Sequence, residues 1–146
     1  MSKQANKKKE NALFFAWAVS LTAVFGSLYF SEILQYEPCE LCWYQRVLMY
    51  PLALLMGIAA VKKDYRMSLY SAVFSGIGML VSLSHYSIQK VPFLSDHAPS
   101  CGRVPCTGEY INWLGFITIP FLALAAFIII FASSIWIYRS LKEEKK

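Results

Sequence analysis

Apolar residues run along the chain in four long blocks that are separated by short polar segments. The blocks cover about residues 12–30, 41–61, 67–88 and 113–138. A helix that crosses a bilayer core of about 30 Å needs roughly 20 apolar residues, and each block provides them. A membrane β-barrel would show short segments of alternating polarity instead. The pattern predicts an all-α membrane protein, a bundle of four transmembrane helices in a single domain spanning residues 1–146.

Composition supports this class. Of the 146 residues, 57% are hydrophobic, and the mean hydropathy of +0.44 is too high for a soluble domain of this length. The first apolar block follows a basic stretch, as in a signal peptide. The block is long for a signal sequence, however, and no convincing cleavage site follows it. We therefore expect it to remain as the first membrane span.

The positive charges predict the orientation in the membrane. The formal net charge is +5, and eleven of the fourteen basic residues lie at the two ends of the chain or between the second and third blocks. These eleven are Lys3, Lys7, Lys8, Lys9, Lys62, Lys63, Arg66, Arg139, Lys142, Lys145 and Lys146. The positive-inside rule then places both termini in the cytoplasm, with short outer loops at 31–40 and 89–112. Because the basic clusters flank membrane spans, we do not expect nucleic-acid binding.

All four cysteines lie in or beside the predicted outer loops, as Cys39 with Cys42 and Cys101 with Cys106. Four cysteines allow three pairings, and the short spacings favour pairing within each couple. Such small rings add little stability, although structural disulfides remain an alternative. The spacings would also suit zinc, but the proline-rich second loop and the nearby arginines argue against it. We therefore predict a redox role and no metal.

The first pair opens the second predicted helix, directly after Pro38. A helix N-terminus stabilises a thiolate, so we expect a cysteine there to have a lowered pKa. Arg46 lies one helical turn beyond Cys42 on the same face, where it could stabilise the thiolate or an anionic ligand. The alternative is that its side chain simply reaches the membrane surface.

Two further features could take part in redox chemistry. His85, near the outer end of the third block, could donate a hydrogen bond to a carbonyl oxygen, although a lone histidine often only packs in a bundle. The loop that carries Cys101 and Cys106 is rich in proline and glycine, and Arg103 lies between the two sulfurs. An exposed disulfide in a short ring is relatively oxidising and open to attack by another protein's thiolate.

These residues resemble those of a known family. The run Cys-Glu-Leu-Cys-Trp-Tyr-Gln-Arg from Cys39 to Arg46 is similar to the C-x-L-C-x-Y-[QE]-R signature of the DsbB family, bacterial membrane oxidases that regenerate disulfide donors. His85 with Gln89, and the segment from Cys106 to Pro120, resemble two further family elements. The compact second loop resembles the Gram-positive, BdbC-like branch.

The resemblance implies a relay in the bacterial cytoplasmic membrane. The partner would be an extracytoplasmic thioredoxin-like thiol oxidase, similar to DsbA or BdbD. In its reduced form it would attack the Cys101–Cys106 disulfide, with Cys101 forming the mixed disulfide and Cys106 resolving it. That pair would reduce Cys39–Cys42, and Cys42 would pass the electrons to a quinone, either menaquinone or ubiquinone, beside Arg46 and His85. The alternatives are a non-catalytic four-span scaffold with structural disulfides and, ranked lower, the reductive direction of the vitamin K epoxide reductase family.

Overall fold

The computed structural model describes residues 3–96, 114–144 and 146. Four long helices dominate this part of the chain: α1 (Lys3–Leu28), α2 (Glu40–Lys62), α3 (Met67–Lys90) and α5 (Ile119–Glu144). A π-helical turn, Tyr29–Ile33, continues α1, and a five-residue helix, α4 (Pro92–Asp96), follows α3. The all-α prediction is confirmed, because all four long helices are long and apolar enough to cross a membrane.

The helix ends are set by local chemistry. Cys39 has an extended backbone (φ −70°, ψ 170°) and is the N-cap of α2, the residue directly before the helix. At the other end Lys63 adopts a left-handed conformation (φ 53°), which ends the helix and starts the short turn to α3. A turn with positive φ at Leu114 and Gly115 precedes α5. This helix therefore begins at Ile119, later than the predicted start at 113, and continues to Glu144.

The helices form a four-membered ring in which α1 contacts α2 and α5, and α3 contacts the same two helices. The closest packing is between α3 and α5, where Gly78 makes room for an aromatic ring: a Cβ added there would lie 2.3 Å from the ring of Phe127. Ser71, Ala72 and Ser75 are buried on the same face of α3. The small residues of α3 thus allow the two helices to approach closely.

Large apolar side chains cover the outside of the bundle, as expected for helices that face lipid. At one end of the bundle, ion pairs join α1 to α5 and α1 to the C-terminal end of α2. Lys9, only 2% exposed, contacts Glu144 at 2.6 Å, and Lys63 contacts Glu10 at 3.0 Å. The start of α2 and the C-terminal end of α3 therefore lie together at the opposite end, where the cysteine pair is found.

Candidate redox site

Cys39 and Cys42 lie side by side at the start of α2. Their sulfurs are 3.4 Å apart, so the pair is in the dithiol form but needs only a small movement to form a disulfide. Cys39 is 6% exposed, whereas Cys42 is partly exposed. One turn of helix thus gives the two thiols different surroundings.

His85 of α3 contacts the buried member of the pair. Its Nε2 lies 3.6 Å from the Cys39 sulfur, and its Nδ1 lies 3.1 Å from the amide nitrogen of Gln45. With that amide nitrogen facing Nδ1, a neutral imidazole carries its proton on Nε2 and donates it to the sulfur. His85 itself is 1% exposed. Its ring is held in place because each of its two nitrogens contacts a residue at the start of α2.

The surroundings of Cys39 favour its protonated form. The hydrogen bond to Cys42 and, next, burial raise the pKa of Cys39 from 9.0 to about 12, while the hydrogen bond to His85 acts in the opposite direction. The expectation of a lowered pKa was therefore wrong for this residue. Cys39 precedes the helix and is buried, so the hydrogen bond with the second sulfur and then desolvation determine its pKa.

Arg46 reaches across to the end of α1. Its guanidinium donates to the carbonyl oxygen of Ser27 at 3.2 Å and to the hydroxyl of Ser31, which lies in the π-helical turn. The guanidinium also lies 5.8 Å from the centre of the Trp43 ring. These contacts give the half-buried guanidinium hydrogen-bond acceptors within the protein, which lowers the cost of placing its charge at this depth.

A cavity of about 650 Å³ opens between α1, α2 and α5. Apolar or aromatic side chains such as Phe30 and Met49 form most of its wall. Its polar lining residues include Cys42, Gln45, Arg46, Glu37, Thr22 and Ser27. A second cavity of about 650 Å³ lies between α1 and α2 nearer Lys62, and its wall is almost entirely apolar. Of the two, only the first combines a thiol and a cation with an apolar interior.

The structure brings together four of the residues that the sequence singled out: Cys39, Cys42, Arg46 and His85. The other two, Cys101 and Cys106, lie outside the described residues.

Sequence reasoning gave no role to Gln45, the residue that contacts His85, or to the serines that bind Arg46. Gln45 could have been found, because it is three residues from Cys42 and shares its helix face. The serine contacts could not, because they join α2 to residues 15 and 19 positions earlier in the chain, which the local sequence does not bring together.

Comparison with known proteins gives consistent results. The family model described as "Disulfide bond formation protein DsbB" matches residues 9–137. "Probable disulfide formation protein C" of Halalkalibacterium halodurans is 63% identical over 134 residues, covering 92% of this chain and 98% of that protein. "Disulfide bond formation protein C" of Bacillus subtilis is 57% identical over 118 residues, covering 81% and 86%. No solved structure matches the chain.

Proposed function

Because the chain belongs to the DsbB family of disulfide bond formation proteins, and is thus a membrane thiol-disulfide oxidoreductase, we propose that it carries electrons from a thioredoxin-like protein to a membrane quinone. The observation that carries the proposal is the cavity in which the Cys42 thiol and the Arg46 guanidinium line the same apolar space. A quinone is a planar conjugated ring with two carbonyl oxygens, and apolar walls with a few hydrogen-bond donors suit such a ligand.

The residues of the cavity fit a quinone. Its volume of about 650 Å³ lies within the usual range of ligand sites, roughly 300–1,000 Å³. Arg46 and Gln45 would hold the carbonyl oxygens by donating hydrogen bonds, and Phe30 and Met49 belong to the apolar wall beside them. When bound, the quinone supplies an acceptor for two electrons and two protons.

The proposed relay begins at the outer pair. A thiolate of the partner attacks Cys101 of the Cys101–Cys106 disulfide, and Cys106 leaves as a thiolate. The partner's second thiol then closes its own disulfide and releases Cys101. The partner has lost two electrons and two protons, and the pair Cys101–Cys106 has become a dithiol. The dithiol then reduces Cys39–Cys42 by the same exchange.

The inner pair divides the remaining work between its two sulfurs. Cys42 lines the cavity and is the sulfur through which electrons would leave, with the Arg46 charge nearby. Cys39 holds its proton, and the neighbouring His85 Nε2–H donates a hydrogen bond to this sulfur. Loss of two electrons and two protons restores the Cys39–Cys42 disulfide.

The relay also requires an orientation. We propose that the end of the bundle with the cysteines faces the extracytoplasmic side, because disulfides persist there. The ends of α1 and α5 that carry Lys9 and Glu144 would then face the cytoplasm. The excess of basic residues at that end supports the same orientation.

A turnover assay tests the proposal. Purified protein in detergent is given a quinone and, as the electron donor, a reduced thioredoxin-fold protein. That partner is identified beforehand from the mixed disulfide that a Cys106→Ala variant forms with it through Cys101 in cells. We expect quinone reduction by the unmodified protein and none by Cys42→Ser. Ser84→Ala is a matched control, because this exposed hydroxyl of α3 donates to the carbonyl oxygen of Leu80 in its own helix. Unchanged turnover in Cys42→Ser would contradict the proposal and favour a scaffold with structural disulfides.

A further inference from the structure

The three side chains at the start of α2 and the end of α3 form a potential metal site. One ligand atom from each of Cys39, Cys42 and His85 lies within 4.8 Å of the other two. We propose that the reduced protein binds one Zn²⁺ ion through the two sulfurs and His85 Nε2, and that the bound ion prevents oxidation of the pair. The binding stands on geometry alone, whereas the inhibition rests on the proposed function.

The observed distances suit zinc. With Zn–S of about 2.3 Å and Zn–N of about 2.0 Å, tetrahedral coordination separates two sulfurs by roughly 3.8 Å and a sulfur from a nitrogen by roughly 3.5 Å. The two cysteine sulfurs are 3.4 Å apart, and the Cys39 sulfur is 3.6 Å from Nε2. Small side-chain movements therefore create the site. Three protein ligands leave the fourth position for water or another small ligand.

Gln45 provides the outer contact that a zinc-binding histidine requires. Metal binding at Nε2 needs the proton on Nδ1, and a 180° turn of the Gln45 amide would present its oxygen to that proton. The amide and Nδ1 are already 3.1 Å apart, so the turn needs no movement of the backbone. A carboxylate at this position would accept the same hydrogen bond more strongly.

Charge balance also favours the ion over a bare thiolate pair. Binding of Zn²⁺ displaces a proton from each of the Cys39 and Cys42 thiols, and the two thiolates with a neutral imidazole give a complex of zero net charge. A neutral complex avoids most of the cost of burying a charge beside His85. Oxidation to the Cys39–Cys42 disulfide removes both thiolates, so only the reduced protein has the site.

Zinc binding can be measured without turnover. A Cys101→Ala/Cys106→Ala protein, which lacks the outer pair, is titrated with Zn²⁺ against a colorimetric chelator, and Co²⁺ absorption reports the sulfur ligands. We expect one ion bound to the reduced form and none to the oxidised form. Loss of His85 in His85→Ala should weaken binding by at least about tenfold, as removal of an outer hydrogen bond alone costs about 10- to 100-fold. Ser84→Ala, at the exposed neighbouring position, should bind normally.

The position of Gln45 gives a second test in case His85→Ala fails to fold, as judged by far-ultraviolet circular dichroism. Gln45→Leu should weaken zinc binding, and Gln45→Glu should retain or strengthen it. Equal zinc affinity in all these variants, or equal binding by the oxidised protein, would overturn the site. Full-length protein that binds zinc but keeps its turnover would overturn the inhibition. A protein that binds zinc and shows no quinone turnover would leave the site intact and contradict only the relay.

Discussion

Cys39 and Cys42 should differ sharply in their reaction with iodoacetamide, because the thiolate is the reactive form of cysteine. The hydrogen bond to Cys42 and burial raise the pKa of Cys39 from 9.0 to about 12. At pH 8, about one thiol in ten is ionised when the pKa is 9.0, and roughly one in ten thousand when it is about 12. We therefore expect Cys39 to react about a thousandfold more slowly than an unperturbed thiol.

The assay uses reduced Cys101→Ala/Cys106→Ala protein, alkylated briefly without oxygen, digested and quantified by mass spectrometry. At low conversion the label should lie on Cys42, which is partly exposed and lines the cavity. Labelling of Cys39 should increase about tenfold for each pH unit between 7 and 10, without a plateau, because this range lies below its pKa.

Two variants separate the pKa effect from simple access to the reagent. Cys42→Ala removes the largest cause of the raised pKa, so Cys39 should react faster. Adding His85→Ala removes the hydrogen bond that lowers the pKa, so the reaction should slow again. In urea-denatured protein both cysteines should react at similar rates. Labelling of Cys39 as fast as Cys42 in the native, reduced protein would refute this reasoning.

Three further predictions concern the cavity and the bundle. Arg46→Met removes the guanidinium that lines the cavity. A hydrogen bond from a charged group to a quinone oxygen is worth about 1.5–3 kcal/mol, so we expect the KM for quinone to rise at least about tenfold in steady-state assays, with Arg46→Lys less affected. Gly78→Ala should be less stable than Gly26→Ala in SDS unfolding by about 1–3 kcal/mol. Of these two positions, 78 would bring a Cβ against the Phe127 ring, whereas 26 has open space. Glu144→Gln, which leaves the 2%-exposed Lys9 ammonium without its charged partner, should destabilise the protein by about 1–3 kcal/mol. Lys9→Met should cost less, because the Glu144 side chain that it leaves unpaired is 25% exposed to water.

Spacing along one helix allowed much of the site to be predicted. Cys39, Cys42 and Arg46 follow one another at intervals of three and four residues, which is about one helical turn. Their shared position at the start of α2 therefore follows from helix geometry. The contact of His85 with Cys39 joins residues 46 positions apart. It depends on how α3 is rotated against α2, which side-chain packing determines and local sequence does not.

The fold was predictable for a similar reason. Long apolar blocks specify membrane helices almost regardless of detail, since the bilayer leaves the backbone no other partner. The exact ends of the helices could not be predicted, because they depend on the backbone conformation of individual residues, such as the left-handed Leu114 before α5. The buried ion pair between Lys9 and Glu144 could not be predicted from the sequence either. The positive-inside rule counts the basic residues on each side of the membrane but does not show which charges pair.

The different surroundings of the two sulfurs link the relay to the zinc proposal. Cys39 is buried beside His85, and Cys42 lines the cavity with Arg46. In the reduced form the same two sulfurs are both the electron donor and the metal ligands, so oxidation and zinc compete for one state. A shortage of quinone would keep the pair reduced and expose it to zinc, whereas ample quinone would restore the disulfide and remove the ligands. Zinc inhibition should therefore weaken as the quinone concentration rises, even if the ion and the quinone do not share the cavity.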